Sequence, residues 1–231
     1  ACLGGMTATR AIGTFSTKYG KMDDMVTALN VVLPDGQIFH SHLAPKRSTG
    51  PELNQLFLGS EGVYGIITSV EMKIYPIAET RVFQAYTFPS THDGLSAIRN
   101  FIHKGLRPAV VRLYDEVEAV PKIASYGYEK GFTLLILVFE GNKEMSELEA
   151  RMTKEICLGN NGRYKGEKAA REWLATRFST KKMLDFDAIK GGTADAIEVA
   201  APWDCIEDVW RKMRRALEPI CTVVDCHFSH V

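Results

Sequence analysis

The chain has 231 residues, 45% of them hydrophobic and 24% charged, with 28 lysines and arginines balanced by 28 aspartates and glutamates. That composition is ordinary for a globular protein and allows one large domain or two small ones. Zero net charge excludes a nucleic-acid binder that relies on bulk positive charge, no Lys/Arg block marks a polybasic membrane patch, and no apolar run reaches the ~18–20 residues of a membrane span.

Two glycine-rich stretches frame the first third. Gly4-Gly5-Met6-Thr7-Ala8-Thr9-Arg10-Ala11-Ile12-Gly13 opens the chain, and Gly59-Ser60-Glu61-Gly62-Val63-Tyr64-Gly65 precedes an apolar run. Glycine accepts φ > 0 and leaves no Cβ between main chain and ligand, so such loops can aim several N–H groups at a phosphate or a heterocycle edge. One such loop is a weak signal. Two together make a nucleotide-type cofactor the leading reading, with plain tight turns as the alternative. Between them, residues 28–33 read as a strand, Pro34-Asp35-Gly36 as a turn and residues 37–40 as the returning strand of a hairpin. Pro51 suits the first position of a short helix through Phe57. After the second loop, Val70, Met72 and Ile74 share one face of a strand that Pro76 ends.

Beyond residue 78 strands and helices alternate. Residues 82–88 read as a strand, followed by a helix with Leu95, Ile98 and Ile102 on one face. Strands follow at 109–114 and 132–139. Asn142 caps a helix whose apolar stripe is Met145, Leu148, Met152 and Ile156. Helical residues 167–177, a strand at 196–200 and a helix at 202–217 complete the chain. In the last, Asp204, Glu207 and Asp208 precede Arg211, Lys212, Arg214 and Arg215, an order that suits the helix dipole. The pattern predicts an α+β sheet with helices on one face, and a domain boundary near 76–80. The chain begins within the first glycine cluster and stops inside the alternation Val223, Val224, Cys226, Phe228, so it reads as a fragment of a longer protein.

Five scattered cysteines without a CxxC pair read as reduced structural thiols. Cys221, Cys226, His227 and His230 have poor zinc spacing, and no metal is assigned. No GxSxG elbow, Walker-type loop or HExxH is present. Arg112 lies inside a predicted strand, where burial demands an anionic partner: a substrate carboxylate or phosphate, or a structural Asp or Glu. Trp173 and Arg177 lie one helical turn apart and face either a site or the core. Trp203 and Trp210 read as core; His40, His42, His92 and His103 read as surface residues.

Four motifs occur in one order: Gly4-Gly5 through Gly13, Tyr19-Gly20 with Asp23-Asp24, Val32-Leu33-Pro34-Asp35-Gly36, and Gly59-Ser60-Glu61-Gly62 with Gly65-Ile66-Ile67-Thr68. In this order they resemble the vanillyl-alcohol-oxidase, or PCMH-type, FAD-linked flavoproteins, and the resemblance covers essentially the whole chain. It implies the C-terminal part of a PCMH-type FAD-binding domain at 1–77, then an α+β cap domain at 78–231 with an antiparallel sheet and helices on one face. It implies FAD as cofactor, lined by Gly5, Thr9, Arg10, Ala11, Ile12 and Gly13 and by Glu61, Gly62, Val63, Tyr64, Gly65, Ile66 and Ile67. Arg10 reads equally as a surface ion pair, and Glu61 equally as a brace for its own loop.

The implied activity is oxidation of a small anionic substrate, a 2-hydroxyacid, at flavin N5. Arg47-Ser48-Thr49-Gly50-Pro51 and Ala200-Ala201-Pro202-Trp203-Asp204 look closer to the alkylglycerone-phosphate synthase branch. That branch implies an alternative, an ether-lipid transferase acting on a glycerone phosphate ester with FAD and no net redox change. Arg112 falls where the branch has an arginine near its active site, which implies substrate binding. His227 falls near a substrate-phosphate arginine of the branch and departs from it; a histidine there can take a proton from a substrate hydroxyl. His230 reads as an ordinary strand histidine. A further alternative is a non-catalytic module, because the family's first diphosphate loop and C-terminal catalytic residues lie outside residues 1–231. The resemblance leaves a homodimer open, and a location in the cytoplasm or peripheral to a membrane.

Overall fold

Apolar residues that alternate along extended segments build two separate antiparallel sheets in the computed structural model, which describes residues 2–44, 48–129, 132–179 and 195–231. The first sheet has the order β2-β1-β3, from β1 (Val26–Val32), β2 (Ile38–His40) and β3 (Ile66–Met72). The hairpin forms as expected, with Val32 opposite Ile38. Gly36 turns it at φ 84°, and the Gln37 amide donates to Asp35 Oδ1 at 3.0 Å. Short helices α1 (Leu3–Ala8), α2 (Ser16–Tyr19), α3 (Met22–Met25) and α4 (Asn54–Phe57) surround it. Pro51 precedes α4 by three residues and does not open it, because the single turn starts only after Leu53. The expected stripe on β3 stops at Met72; Ile74 lies past the strand end and is exposed.

The second sheet has the order β7-β4-β6-β5-β8, from β4 (Thr80–Phe88), β5 (Val110–Tyr114), β6 (Thr133–Gly141), β7 (Arg163–Tyr164) and β8 (His227–Ser229). Its centre, β6, is buried from Thr133 to Glu140. A strand covered on both faces reads as a continuous apolar run, which is why Leu134 to Phe139 show no polar alternation. Leu135, Leu137 and Phe139 meet α5 (Thr91–His103) and α7 (Lys143–Gly159). Leu134, Ile136 and Val138 meet α6 (Glu116–Tyr126) and α8 (Lys168–Thr176), with Phe15 from the first part of the chain. The class is α+β with an antiparallel sheet, and helical cover extends to the second face as well.

Three local expectations need correction. On α7 the buried residues are Ser146, Ala150, Thr153 and Cys157, while Met145 and Leu148 are exposed. Met152 and Ile156 of the expected stripe do pack against the core, but close helix-on-sheet packing puts small side chains at the centre of the buried face. Residues 196–200 form no strand and are exposed. The last helix, α9 (Ile206–Leu217), starts four residues after Pro202, whose carbonyl accepts from the Cys205 and Ile206 amides. Trp203 and Trp210 pack against the core as expected.

Helix α2 is tied to the large sheet at Glu140, which is 5% exposed. Its carboxylate accepts from Tyr19 Oη at 2.8 Å and from Arg81 Nε at 2.5 Å, and its carbonyl accepts from the Lys18 ammonium. Burial and this contact push the Tyr19 phenol up to about 12. The fully buried Leu135 gives a direct test of the core: Leu135→Ala is expected to lower stability by about 2–5 kcal/mol in urea unfolding. A loss below about 1 kcal/mol would show that β6 is not the packed centre.

Candidate functional site

Helix α1 ends where the chain leaves through Thr9 and Arg10, the latter at φ 52°. The second glycine stretch docks on this exit. The Gly59 amide donates to the Thr7 carbonyl at 3.3 Å and the Glu61 amide to the Ala8 carbonyl at 2.9 Å. Gly59, Glu61 and Gly62 are all left-handed, at φ 78°, 53° and 88°. Gly65 is buried against β1; a Cβ there would stand 2.5 Å from Val31 Cγ1, so no side chain fits. The two stretches predicted to cooperate are therefore bonded to each other.

The expected role of their amides changes. Those of Thr9, Arg10 and Ala11 close α1 on the carbonyls of Gly5, Thr7 and Met6, and those of Val63 and Gly65 close the second loop on Ser60 and Gly62. Thr9 Oγ1 donates to the Gly5 carbonyl at 2.9 Å. These glycines shape the backbone more than they offer donors. Gly5 serves the helix, and Ile67 packs against the first sheet's core. The amides of Ile12, Gly13, Gly62 and Tyr64 have no hydrogen-bond partner among the described residues. Beside them Ile12, Val63, Tyr64 and Ile66 are exposed, Val63 by 73% and Ile66 by 70%. Exposed apolar side chains and unclaimed N–H groups thus occur on both stretches, and groups of these two kinds suit a flat ring system with an anionic tail such as FAD.

Arg10 gives Nη2 to Gln55 Oε1 at 2.7 Å and stands 4.0 Å from Asp23, the surface pairing weighed from sequence; its Nε is buried without a partner. The Glu61 amide bonds Ala8 of the first stretch and not its own loop, and its side chain is exposed without a hydrogen bond among the described residues. Arg47 lies outside the described residues.

The second cluster sits on the α6–α8 face of the large sheet. Pairing of β5 with β8 sets Tyr114 opposite His227 and Arg112 opposite Ser229. Alternation then puts Arg112, Tyr114 and His227 on one face. Arg112 Nη2 lies 3.1 Å from His227 Nδ1, and its guanidinium rests over Tyr114 at 5.2 Å and Trp173 at 6.0 Å. No Asp or Glu among the described residues forms an ion pair with Arg112, and its Nε is buried without a partner. The structural carboxylate offered as one explanation of a strand arginine makes no direct contact; Glu118 is linked to Arg112 only through His227 Nδ1. Trp173 belongs to the site wall, while Arg177 stacks over Phe15 and Phe178.

Sequence reasoning missed α6 and its Glu118. The Asp115 carboxylate caps this helix, accepting from the Val117 and Glu118 amides, and Asp115-x-x-Glu118 was a legible start signal. Glu118 Oε2 lies 3.1 Å from His227 Nδ1, and its Oε1 accepts from Lys122 at 3.1 Å. Burial pushes this carboxyl up, but the His227 contact and the Lys122 charge outweigh it and hold it low. Nearby, burial raises the Asp225 carboxyl. His230 lies beside this cluster. It follows β8 at φ 61°, and its Nδ1 lies 2.9 Å from Ser16 Oγ, tying this cluster to the segment after Gly13. Among the described residues no group of His, Cys, Asp and Glu could hold a metal ion, and no helix is long and apolar enough to cross a membrane.

Residues 77–231 match the family described as FAD linked oxidases, C-terminal domain, and residues 1–42 match an FAD binding domain. The alkyldihydroxyacetonephosphate synthase of Caenorhabditis elegans is 28% identical over 94% of this chain and 40% of its own length. An uncharacterized FAD-linked oxidoreductase of Escherichia coli (strain K12) is 28% identical over 92% of this chain and 45% of its own. The probable mitochondrial D-lactate dehydrogenase of Danio rerio is 34% identical over 70% of this chain and 34% of its own. The chain thus spans less than half the length of these relatives. A solved alkyldihydroxyacetonephosphate synthase shares the fold, with a TM-score of 0.82 at 23% identity over 99% of this chain and 46% of that one.

His230 supplies a pH test. Burial lowers its pKa, with the charges of Arg112 and His227 acting in the same sense against Glu198 and the Gly13 backbone. An unfolded histidine takes its proton near pH 6.5. Below that pH the unfolded chain binds more protons than the folded one, so stability falls as pH falls. Urea midpoints are expected to decline less steeply between about pH 7 and 5 in His230→Gln than in the wild type. Equal slopes would contradict this placement.

Proposed function

The chain belongs to the FAD-linked oxidases, and from that premise we propose that it works within an FAD-dependent enzyme that oxidises a small 2-hydroxyacid. One observation carries the substrate class: Arg112 is half-buried without a carboxylate partner among the described residues, and its Nε is unclaimed. An arginine in that state suits a planar anion, which it can grip with two parallel hydrogen bonds. In this reading Arg112 holds the substrate carboxylate and His227 takes the hydroxyl proton. Ile12, Gly13 and the run from Gly62 to Ile66 hold the cofactor. FAD, when bound, supplies the two-electron acceptor. We propose the same division of labour along the chain, with residues 1–77 on the flavin side and 78–231 on the substrate side.

A second reading, transfer of an alkyl group to a glycerone phosphate ester with no net redox change, draws support from similarity to a synthase along nearly the whole chain. Arg112 would then hold a phosphate. The full-length protein separates the two when mixed anaerobically with D-lactate, D-2-hydroxyglutarate or an acyl-glycerone phosphate. The first reading predicts loss of flavin absorbance with a hydroxyacid. It also predicts that Arg112→Ala keeps its flavin content while the apparent Kd for the hydroxyacid rises about tenfold or more, roughly 1.4 kcal/mol. No bleaching, with alkyl exchange instead, rules for transfer; unchanged affinity rejects the clamp.

A further inference from the structure

Arg112 Nη2 and Glu118 Oε2 each lie 3.1 Å from the same atom, His227 Nδ1. A guanidinium only donates and an ionised carboxylate only accepts. One ring nitrogen cannot serve both. A bare Nδ1 takes the Arg112 proton, whereas an Nδ1–H gives its proton to Glu118. Both competitors are held in place. Glu118 stands in the first turn of α6, fixed by the Asp115 cap and by Lys122. Arg112 is laid over Tyr114 and Trp173. The imidazole proton is therefore the freest part of the arrangement. The other ionisable groups around it include Tyr114, Lys122, Asp225 and His230.

We propose that Glu118 is a positioning residue that sets the tautomer of His227, and that an anion on Arg112 decides which tautomer prevails. Without an anion, Arg112 competes for Nδ1 and favours the Nε2–H ring. Once an anion engages the guanidinium, Glu118 is the remaining partner and Nδ1–H prevails. One proton leaves Nε2 to water and one reaches Nδ1 from water, so charge is unchanged. Nε2 is left with a lone pair, which is what a proton acceptor needs. This rests on the reading of Arg112 as the clamp and His227 as the acceptor. It adds that occupancy of the clamp arms the acceptor, so the base is presented only when the substrate is in place.

The test is NMR of the protein labelled with 15N-histidine, at about pH 8.5, two units above the ordinary imidazole midpoint. Arg112→Met keeps an apolar stem under the rings and removes the donor; His227 is expected as Nδ1–H. Glu118→Leu removes the acceptor; His227 is expected as Nε2–H. The same tautomer in both variants, with otherwise native spectra, overturns the proposal. Should either variant fail to fold, the wild type decides: saturating inorganic phosphate is expected to move the ring toward Nδ1–H. A ring unmoved by phosphate, or already wholly Nδ1–H without it, overturns the proposal. The readout needs neither flavin nor turnover, so failure of hydroxyacids to reduce the flavin would count against the proposed reaction and not against this result.

Discussion

Two backbone hydrogen bonds, from Gly59 to Thr7 and from Glu61 to Ala8, hold the site's first half together. They join stretches some fifty positions apart in the chain. They require left-handed backbone at Gly59, Glu61 and Gly62, and a Gly65 pressed against Val31 where no Cβ fits. Each such bond contributes only about 1 kcal/mol net. Their importance is geometric: they dock the second glycine stretch, with the free amides of Gly62 and Tyr64, on the exit of α1 that leads to the free amides of Ile12 and Gly13. Without the junction there are two unrelated loops.

The second half of the site depends on strand register. A slip of one residue of the edge strand β8 along β5 would turn His227 to the opposite face and separate it from Arg112. On its other side β5 pairs with β6, the centre of the large sheet, which is buried on both faces. The halves meet at Ser16 and His230, and at Glu140 with Tyr19, Lys18 and Arg81. The segment after the first glycine stretch and the sheet that carries Arg112 are thus bonded to each other.

Much of this was legible in the residues. Pro34-Asp35-Gly36 carries its own turn chemistry, and the run from Phe132 has the length and composition of a buried strand. The order of glycine motifs pointed to the two stretches and to FAD. What was illegible was tertiary. No local pattern says that the amides of Thr9 or Val63 are already spent on neighbouring carbonyls. The buried face of α7 was misplaced because its contact residues are small and partly polar, while Met145 and Leu148 are apolar but exposed. Helix α6 was passed over because Pro121 interrupts it and its apolar stripe is thin, although Asp115 and Glu118 mark its start. Residues 196–200 have strand-like composition but no neighbouring strand to pair with among the described residues.

The same lesson applies to Arg112. Its position in a strand signalled a need for an anion, but only the fold reveals that its direct neighbours are aromatic faces and a histidine, with Glu118 on the far side of that histidine. We propose that the joined glycine stretches form the flavin's seat. Hydrogen exchange on the full-length protein, with FAD bound and after its removal, tests it most directly. Slower exchange at Ile12, Gly13, Gly62 and Tyr64 in the loaded protein is the predicted result. Equal exchange at all four, with flavin demonstrably bound, would place the cofactor elsewhere and contradict the account.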